Sequence, residues 1–171
     1  MTENLTAPPR LLASLSTASG RGVVRVQDRY ATDAGDLWSA LTEPERLARW
    51  MAEVDGDVRP DGRFNARFTS GWEGPVRIDA CEPPKRLLLT LSPGDDDETT
   101  VEALLTPDGD STLLVIEERG LPVGELPGYG AGWQTHAEDL ATYLAGRPAT
   151  PWRSRWVELT PAYRTLAADG R

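Results

Sequence analysis

The sequence predicts an α+β fold in which an antiparallel sheet curves around one amphipathic helix near the C-terminal end of the chain. Two observations support this prediction. Short segments of alternating apolar and polar residues, bounded by turns, occur between residues 22 and 118, which is typical of half-buried strands. One strong helical pattern follows, and its apolar stripe can be buried against the concave face of the sheet. We expect a cavity between this helix and the sheet.

The composition limits the class of protein and its partners. With 171 residues, 39% of them hydrophobic and 26% charged, the chain suits one globular domain with extensions. The net charge of −9 argues against nucleic acid and anionic membranes as partners, because both require a basic surface. No targeting pattern opens the chain, and the longest apolar run, residues 87–91, is too short to span a bilayer. We therefore expect a cytoplasmic protein.

The chain divides into three parts. Residues 1–19 are rich in Ser, Thr, Ala and Pro and predict a flexible leader. Residues 20–146 hold the predicted domain. Residues 147–171 form a C-terminal extension, in which Thr160-Pro161 is expected to begin a last helix.

The C-terminal extension carries two tryptophans, Trp152 and Trp156, four residues apart. Two indole rings are costly to leave in water, so we expect the extension to pack on the domain or on the partner subunit of a homodimer. Both alternatives stay open. If the extension instead covers the mouth of the cavity, it would act as a gate for a ligand.

The order of elements within the domain follows from local signals. Residues 22–30 alternate as a first strand, and Thr32 or Asp33 offers an N-cap for a short helix after it. Pro44 suits the first turn of a second short helix. Turn signals then separate further strands, and the long helical pattern is preceded by a Gly-rich segment. The turn signals are Pro60-Asp61-Gly62, Gly74-Pro75, Glu82-Pro83-Pro84, Pro93-Gly94-Asp95 and Pro107-Asp108-Gly109.

This pattern resembles the heat-shock ATPase activator homologues, a family of the SRPBCC or START-like helix-grip superfamily. The resemblance covers about residues 22–146. It implies a helix-grip fold like that of the birch-pollen allergen, with a bent antiparallel sheet of about six or seven strands around a long C-terminal helix and a pocket for an apolar ligand. The motifs that carry it are the segment from Trp38 to Trp50 (WSALTEPERLARW), Pro60-Asp61-Gly62-Arg63-Phe64, Gly74-Pro75-Val76, Pro83-Pro84-Lys85-Arg86-Leu87 and Gly132-Trp133.

Six side chains are candidates for the ligand pocket. Aromatic walls hold flat or greasy ligands, although each aromatic residue can equally serve as ordinary core. Trp38 and Trp50 are assigned to the core instead. The six candidates are Phe64, Phe68, Trp72, Tyr129, Trp133 and His136.

His136, the only histidine, is also the one weak candidate for a catalytic residue. It falls three residues after Trp133, on or beside the apolar stripe, where a titratable ring can donate or accept a proton. A structural histidine satisfied by a carbonyl or water is the alternative. Strand alternation turns Glu117 or Glu118 inward, which would bring a carboxylate near the ring.

No cofactor motif or metal-ligand set is recognisable in the sequence, so we expect neither a cofactor nor a metal. Cys81 is the only cysteine, and we interpret it as a small buried hydrophobe. The acidic run at residues 95–98 lacks the spacing of a calcium loop and is expected at the tip of a hairpin.

Three functions remain open. The first is binding of a small hydrophobic or aromatic molecule, as a carrier or sensor without catalysis. The second is a cyclase or isomerase that acts on a polyketide-like substrate through His136. The third, implied by the resemblance, is a chaperone-associated interaction module. The co-chaperones of that family carry a separate N-terminal domain and only a short leader is expected here, which disfavours the third function.

Overall fold

The computed structural model describes residues 8–169. The strands are β1 (Ala13–Ala18), β2 (Arg21–Tyr30), β3 (Ala52–Gly56), β4 (Arg63–Phe68), β5 (Glu73–Glu82), β6 (Arg86–Leu91), β7 (Thr99–Asp108) and β8 (Ser111–Leu121). The helices are α1 (Ala34–Thr42), α2 (Pro44–Leu47), α3 (Leu126–Leu144) and α4 (Trp152–Asp169), and one 3-10 turn at Val123–Glu125 precedes α3.

All eight strands form one curved antiparallel sheet in the order β1-β2-β8-β7-β6-β5-β4-β3. Helix α3 packs against β1 and β2, and the hydroxyl of Tyr30 donates a hydrogen bond of 2.9 Å to the carbonyl of Ala137. The predicted helix-grip fold is confirmed. The sheet has one strand more than the upper expected number, because β1 was not anticipated.

The prediction of a flexible leader is wrong for Ala13–Ala18, while residues 1–7 lie outside the described residues. Strand β1 pairs with β2 along its whole length. The connecting residues Ser19 and Gly20 both have positive φ, at 53° and 77°, which is the backbone of a tight two-residue hairpin whose twist matches that of the strands. Pairing with a hydrophobic β2 holds this Ser-rich segment in the sheet.

The two short helices lie where they were predicted. Asp33 is the N-cap of α1, and its carboxylate accepts a hydrogen bond of 2.8 Å from the backbone N–H of Asp36. Pro44 occupies the first turn of α2, where its missing N–H costs nothing. The indole N–H of Trp50 donates a hydrogen bond of 2.9 Å to the carbonyl of Ala40. This bond fixes the segment after α2 against α1, and the two helices contact strands β3, β7 and β8.

Helix α3 begins at Leu126, seven residues before Trp133, so the Gly-rich segment lies within the helix and not before it. The glycines face α4. A Cβ on Gly130 would lie 2.9 Å from Cδ1 of Tyr163, and one on Gly132 would lie 3.4 Å from Cζ2 of Trp152. Glycine is unfavourable in a helix interior, and here it allows a second helix to approach closely.

The C-terminal extension packs on its own domain as helix α4. This helix begins at Trp152, so the prediction that it starts at Thr160-Pro161 is wrong, and Pro161 lies inside it. Leu159 and Tyr163 are completely buried. Their packing against α3 continues the apolar stripe across the proline, which explains why the helix does not stop there. A homodimer stays a prediction.

Polar contacts fix α4 in place. Arg155 forms a two-bond ion pair with Glu138 on α3, with distances of 2.6 and 2.9 Å. Gln134, also on α3, is buried and accepts hydrogen bonds from the hydroxyl of Tyr163 and from the backbone N–H of Leu12. The segment before β1, α3 and α4 therefore share one buried network.

The close approach of α4 to α3 predicts opposite effects for two alanine substitutions in the same helix. Gly130→Ala should destabilise the protein by about 1–3 kcal/mol, because the new methyl group meets the ring of Tyr163. Gly128→Ala is the matched control, since its nearest neighbouring atom is 3.6 Å away, and it should stabilise by about 0.5–1 kcal/mol. Urea unfolding of both variants checks this. Equal stability of the two would show that α4 does not dock as described.

Candidate functional site

Two neighbouring cavities lie between the sheet and the helices. The inner cavity has a volume of about 150 Å³ and is bordered by the concave face of the sheet, the β3–β4 loop, α1, α2 and α3. Its lining is apolar apart from Thr42 and Arg59. The lining residues include Leu41, Leu47, Met51, Phe64, Ile78, Leu89, Val101, Ala103 and Ile116.

The outer cavity has a volume of about 810 Å³ and lies between α3, α4, the β4–β5 turn and the adjoining ends of β7 and β8. It is more polar than the inner one. Phe68, Leu91 and Trp133 line both cavities, so the two spaces meet at these three side chains.

All six residues proposed for the pocket border these cavities. Phe64 lines the inner cavity, Phe68 and Trp133 line both, and the remaining three line the outer cavity. Those three are Trp72, Tyr129 and His136. Their contact with a ligand stays a prediction.

The ring of His136 sits in an aromatic cluster. Its centroid lies 5.9 Å from that of Phe68, 5.6 Å from that of Trp133 and 5.4 Å from that of Trp152. Burial lowers the pKa of His136 to about 3, because the charged imidazolium loses its hydration there. The ring is therefore neutral at pH 7 and a poor proton donor.

Glu118 is the glutamate that faces inward, and it lines the outer cavity. Its carboxylate accepts hydrogen bonds from Nε1 of Trp133 at 2.9 Å and from Oγ1 of Thr99 at 2.7 Å. Burial raises its pKa, although both hydrogen bonds act in the opposite direction. The carboxylate therefore pairs with Trp133 and Thr99, and none of its described hydrogen bonds goes to His136.

Tyr129 is half-buried in the wall of the outer cavity. Burial raises the pKa of its phenol, and the nearby charges of Glu118, Glu125 and Asp97 raise it further. The phenol stays protonated at neutral pH and can donate a hydrogen bond into the cavity.

Helix α4 supplies a wall of the outer cavity that the domain prediction did not include. The indoles of Trp152 and Trp156 stack with their ring centroids 6.2 Å apart. Nε1 of Trp156 donates a hydrogen bond of 2.9 Å to the carbonyl of Gly128. Both rings line the cavity. Their four-residue spacing indicated a shared helix face, but only the packing of α4 shows which surface that face covers.

Other predicted features have structural roles. Trp50 is buried in the core, and neither Trp38 nor Trp50 lines a cavity. Cys81 is half-buried and borders the inner cavity. The acidic residues 95–98 lie in the β6–β7 connection, as expected. Within residues 8–169, no group of three His, Cys, Asp or Glu side chains is arranged to hold a metal ion.

The helices described here offer no segment that is both long and apolar enough to cross a bilayer.

The fold and sequence are similar to several proteins of known structure. CalU16 from Micromonospora echinospora is 28% identical, with a TM-score of 0.75 over 92% of this chain and 97% of that one. DynU16, encoded in the dynemicin biosynthetic locus, is 29% identical, with a TM-score of 0.67 over 74% of this chain and 48% of that one. MLL2253 from Mesorhizobium loti is 27% identical, with a TM-score of 0.64 over 74% of this chain and 99% of that one.

The search of curated proteins found no match to this chain. A family model does match it. The model for Activator of Hsp90 ATPase homolog 1-like protein covers residues 31–145, from the end of β2 to the end of α3. This range includes all the residues that line the inner cavity. The resemblance noted in the sequence is confirmed, and the chain belongs to the Activator of Hsp90 ATPase homolog 1-like family.

Proposed function

We propose that this protein binds a small hydrophobic or aromatic molecule in the two adjoining cavities, as a carrier or sensor. The observation that supports this function best is the apolar lining of the inner cavity, which gives a ligand a dry surface of aliphatic and aromatic side chains. Filling about 150 Å³ of such space with ligand atoms contributes on the order of 3–4 kcal/mol to the binding free energy, through packing contacts and transfer from water. The outer cavity then supplies the polar groups that orient the ligand.

The similar proteins support a small molecule as the ligand but do not specify which molecule. DynU16 is encoded in the dynemicin biosynthetic locus, which is consistent with a small molecule as the ligand. Within this family fold, function depends on the residues of the site and not on the architecture. The aromatic cluster around His136 favours a ligand with a flat ring, because such rings pack edge to face or in offset stacks.

Uptake of a neutral fluorescent probe tests this proposal. N-phenyl-1-naphthylamine is dark in water and fluoresces in apolar surroundings. We expect saturable enhancement with one probe per chain in the micromolar range, about −8 kcal/mol. Native mass spectrometry of the same sample should show a one-to-one complex. Absence of both signals with folded protein would refute a ligand-binding function.

A second candidate function is proton-transfer catalysis, and Glu118 is the observation that favours it. A buried carboxylate with a raised pKa beside a ligand cavity is a typical general base. It could remove a proton next to a ligand carbonyl, leaving an enolate, and later return a proton to the same carbon. The neutral, weakly basic His136 is less suited to this role than Glu118, and the mechanism through His136 stays a prediction.

Deuterium exchange into 2-tetralone, a ketone with acidic neighbouring C–H bonds, tests the catalytic candidate. If Glu118 is a base, wild-type protein should accelerate the exchange and Glu118→Gln should lose at least about 100-fold of that acceleration. Glu117→Gln is the matched control, because Glu117 lies on the other face of β8, in ion pairs with Arg119 and Arg25. Exchange no faster than in buffer would exclude this base for such ketones and leave the carrier or sensor function.

A further inference from the structure

The outer cavity contains a hydrogen-bond donor without a partner among the described residues. The indole of Trp133 donates to Glu118, whereas the hydroxyl of Tyr129, one turn earlier in α3, forms no hydrogen bond with any of them. The polar side-chain atoms there that are both unpaired and fully enclosed belong to His136 and Trp152, so the unpaired hydroxyl of Tyr129 is not enclosed. Tyr129 is half-buried and lines the outer cavity. Its hydroxyl is therefore an open donor in the wall of this cavity.

The carboxylate of Glu118 belongs to the same wall. Tyr129 and Trp133 are four residues apart in α3, so their Cβ atoms are about 5–6 Å apart on one face of the helix. Nε1 of Trp133 lies 2.9 Å from the carboxylate of Glu118. Burial raises the pKa of the Tyr129 phenol, and the charge of Glu118 raises it further, which requires the two groups to be close. The phenol and the carboxylate are therefore neighbours of the same indole.

The chemistry of the two groups restricts the ligand. A protonated phenol donates a hydrogen bond, so the ligand atom that faces Tyr129 is an acceptor. The charges of Glu118, Glu125 and Asp97 all act on this phenol, so an anionic acceptor would be repelled there. A neutral carbonyl oxygen meets both conditions. The C–H bonds next to a carbonyl are also the ones whose proton a carboxylate can remove, which matches the neighbouring Glu118.

We propose that the outer cavity binds a ketone with an aromatic ring, whose carbonyl oxygen accepts a hydrogen bond from Tyr129 and whose neighbouring CH2 group faces Glu118. This inference rests on the proposed ligand-binding function and specifies the class of ligand. When Glu118 takes the proton, the C–H electron pair forms a C=C bond and the carbonyl pair moves to the oxygen. The phenol stabilises the charge on that oxygen, and Glu118 returns a proton to the carbon.

Equilibrium dialysis with two probes of nearly equal shape tests the carbonyl contact. 2-Tetralone carries a carbonyl where tetralin carries a CH2 group, so the ratio of their dissociation constants isolates the carbonyl. Tyr129→Phe removes one hydrogen bond and should weaken 2-tetralone relative to tetralin by about three- to tenfold. The carbon-13 resonance of bound, carbonyl-labelled 2-tetralone should also move upfield in this variant, because the hydrogen bond that deshields the carbon is lost.

Tyr143→Phe is the matched control. Tyr143 also lies in α3, but its hydroxyl accepts a hydrogen bond of 2.9 Å from Nε of Arg46, and the residue borders neither cavity. This variant loses a hydroxyl from the same helix and should leave the ratio of the two dissociation constants unchanged. Circular dichroism should show that both variants are folded.

Deuterium exchange into 2-tetralone tests the placement of the CH2 group. Wild-type protein should accelerate the exchange, and Tyr129→Phe should lower kcat by about 100-fold, as expected for the loss of one donor to a developing oxyanion. Its KM should change by no more than the affinity for 2-tetralone does. An unchanged kcat in Tyr129→Phe would overturn the role of the phenol in proton transfer. Exchange no faster than in buffer would overturn the placement of the CH2 group at Glu118.

The outcomes separate this inference from the proposed function. A ratio that is equal in wild type and Tyr129→Phe, or that falls as much in Tyr143→Phe, would overturn the carbonyl contact and leave ligand binding intact. The same conclusion follows when wild type takes up N-phenyl-1-naphthylamine but neither tetralin nor 2-tetralone. Failure of all three probes to bind the folded protein would contradict both the inference and the proposed function.

Discussion

Replacing Ala103 by phenylalanine is expected to weaken uptake of N-phenyl-1-naphthylamine by at least about tenfold. Ala103 is buried on β7 and borders the inner cavity, so a phenyl ring at this position occupies the space that the apolar part of a ligand would use. Excluding one aromatic ring from such a cavity costs about 1.5–3 kcal/mol of binding free energy, and that corresponds to a factor of about 10–150.

The adjacent residue provides the control. Leu104 lies on the opposite face of β7 and is 38% exposed, so Leu104→Phe adds a ring to the same strand without entering the cavity. Its affinity for the probe should match that of wild type. If both variants bind as wild type does, the inner cavity is not the ligand site. Circular dichroism should show that both variants are folded before the affinities are compared.

Acidification from pH 6.5 to about 3 should lower the free energy of unfolding by about 4–5 kcal/mol because of His136. The pKa of this ring falls from 6.5 to about 3 on burial, and each pKa unit is worth about 1.4 kcal/mol. Above pH 6.5 the ring is neutral in both states and has no effect. Below pH 6.5 the unfolded chain binds a proton that the folded protein refuses, so stability falls until the pH reaches about 3.

The variant His136→Phe isolates this effect, because His136 is the only histidine in the chain. The difference in unfolding free energy between variant and wild type should grow as the pH falls from 6.5 to 3. Glu118 and Asp139 increase the stability of the folded protein as the pH falls, since burial raises the pKa of both carboxyls. Both residues are present in the variant and in wild type, so their effect cancels in the difference. Parallel stability curves from chemical denaturation at each pH would show that the ring is not buried as described.

Much of the fold is predictable because its strands and helices carry local signals. Phe64 and Phe68 alternate with polar residues along β4, and Trp133 and His136 share a helix face by their spacing. These patterns place the aromatic candidates on the concave side of the sheet before any coordinates are considered. A curved sheet around one helix has a single interior. The sequence therefore predicts that inward-facing residues of different strands and helices border the same space.

The parts that escaped prediction depend on packing between distant segments. Gly128, Gly130 and Gly132 have low helix propensity, and only the approach of α4 explains why they lie in α3. Pro161 signals a helix start, but burial of Leu159 and Tyr163 on both sides of it carries the helix through. In each case tertiary contacts outweigh the local preference.

The candidate site was incomplete for a similar reason. Alternation requires one of Glu117 and Glu118 to face inward but does not decide which. The choice depends on the pairing of β8 with both β2 and β7, where Glu118 is opposite Val24 and Val101. The unpaired atoms of His136 and Trp152 have no sequence signal, since they arise where α3 and α4 meet.

A crystal structure of the protein grown with N-phenyl-1-naphthylamine would test the central claim most directly. We predict electron density for the probe between α3 and the concave face of the sheet, within about 4 Å of Phe64, Phe68 and Trp133. Density for the probe only on the outer surface, or an interior filled by the protein's own side chains, would contradict the account.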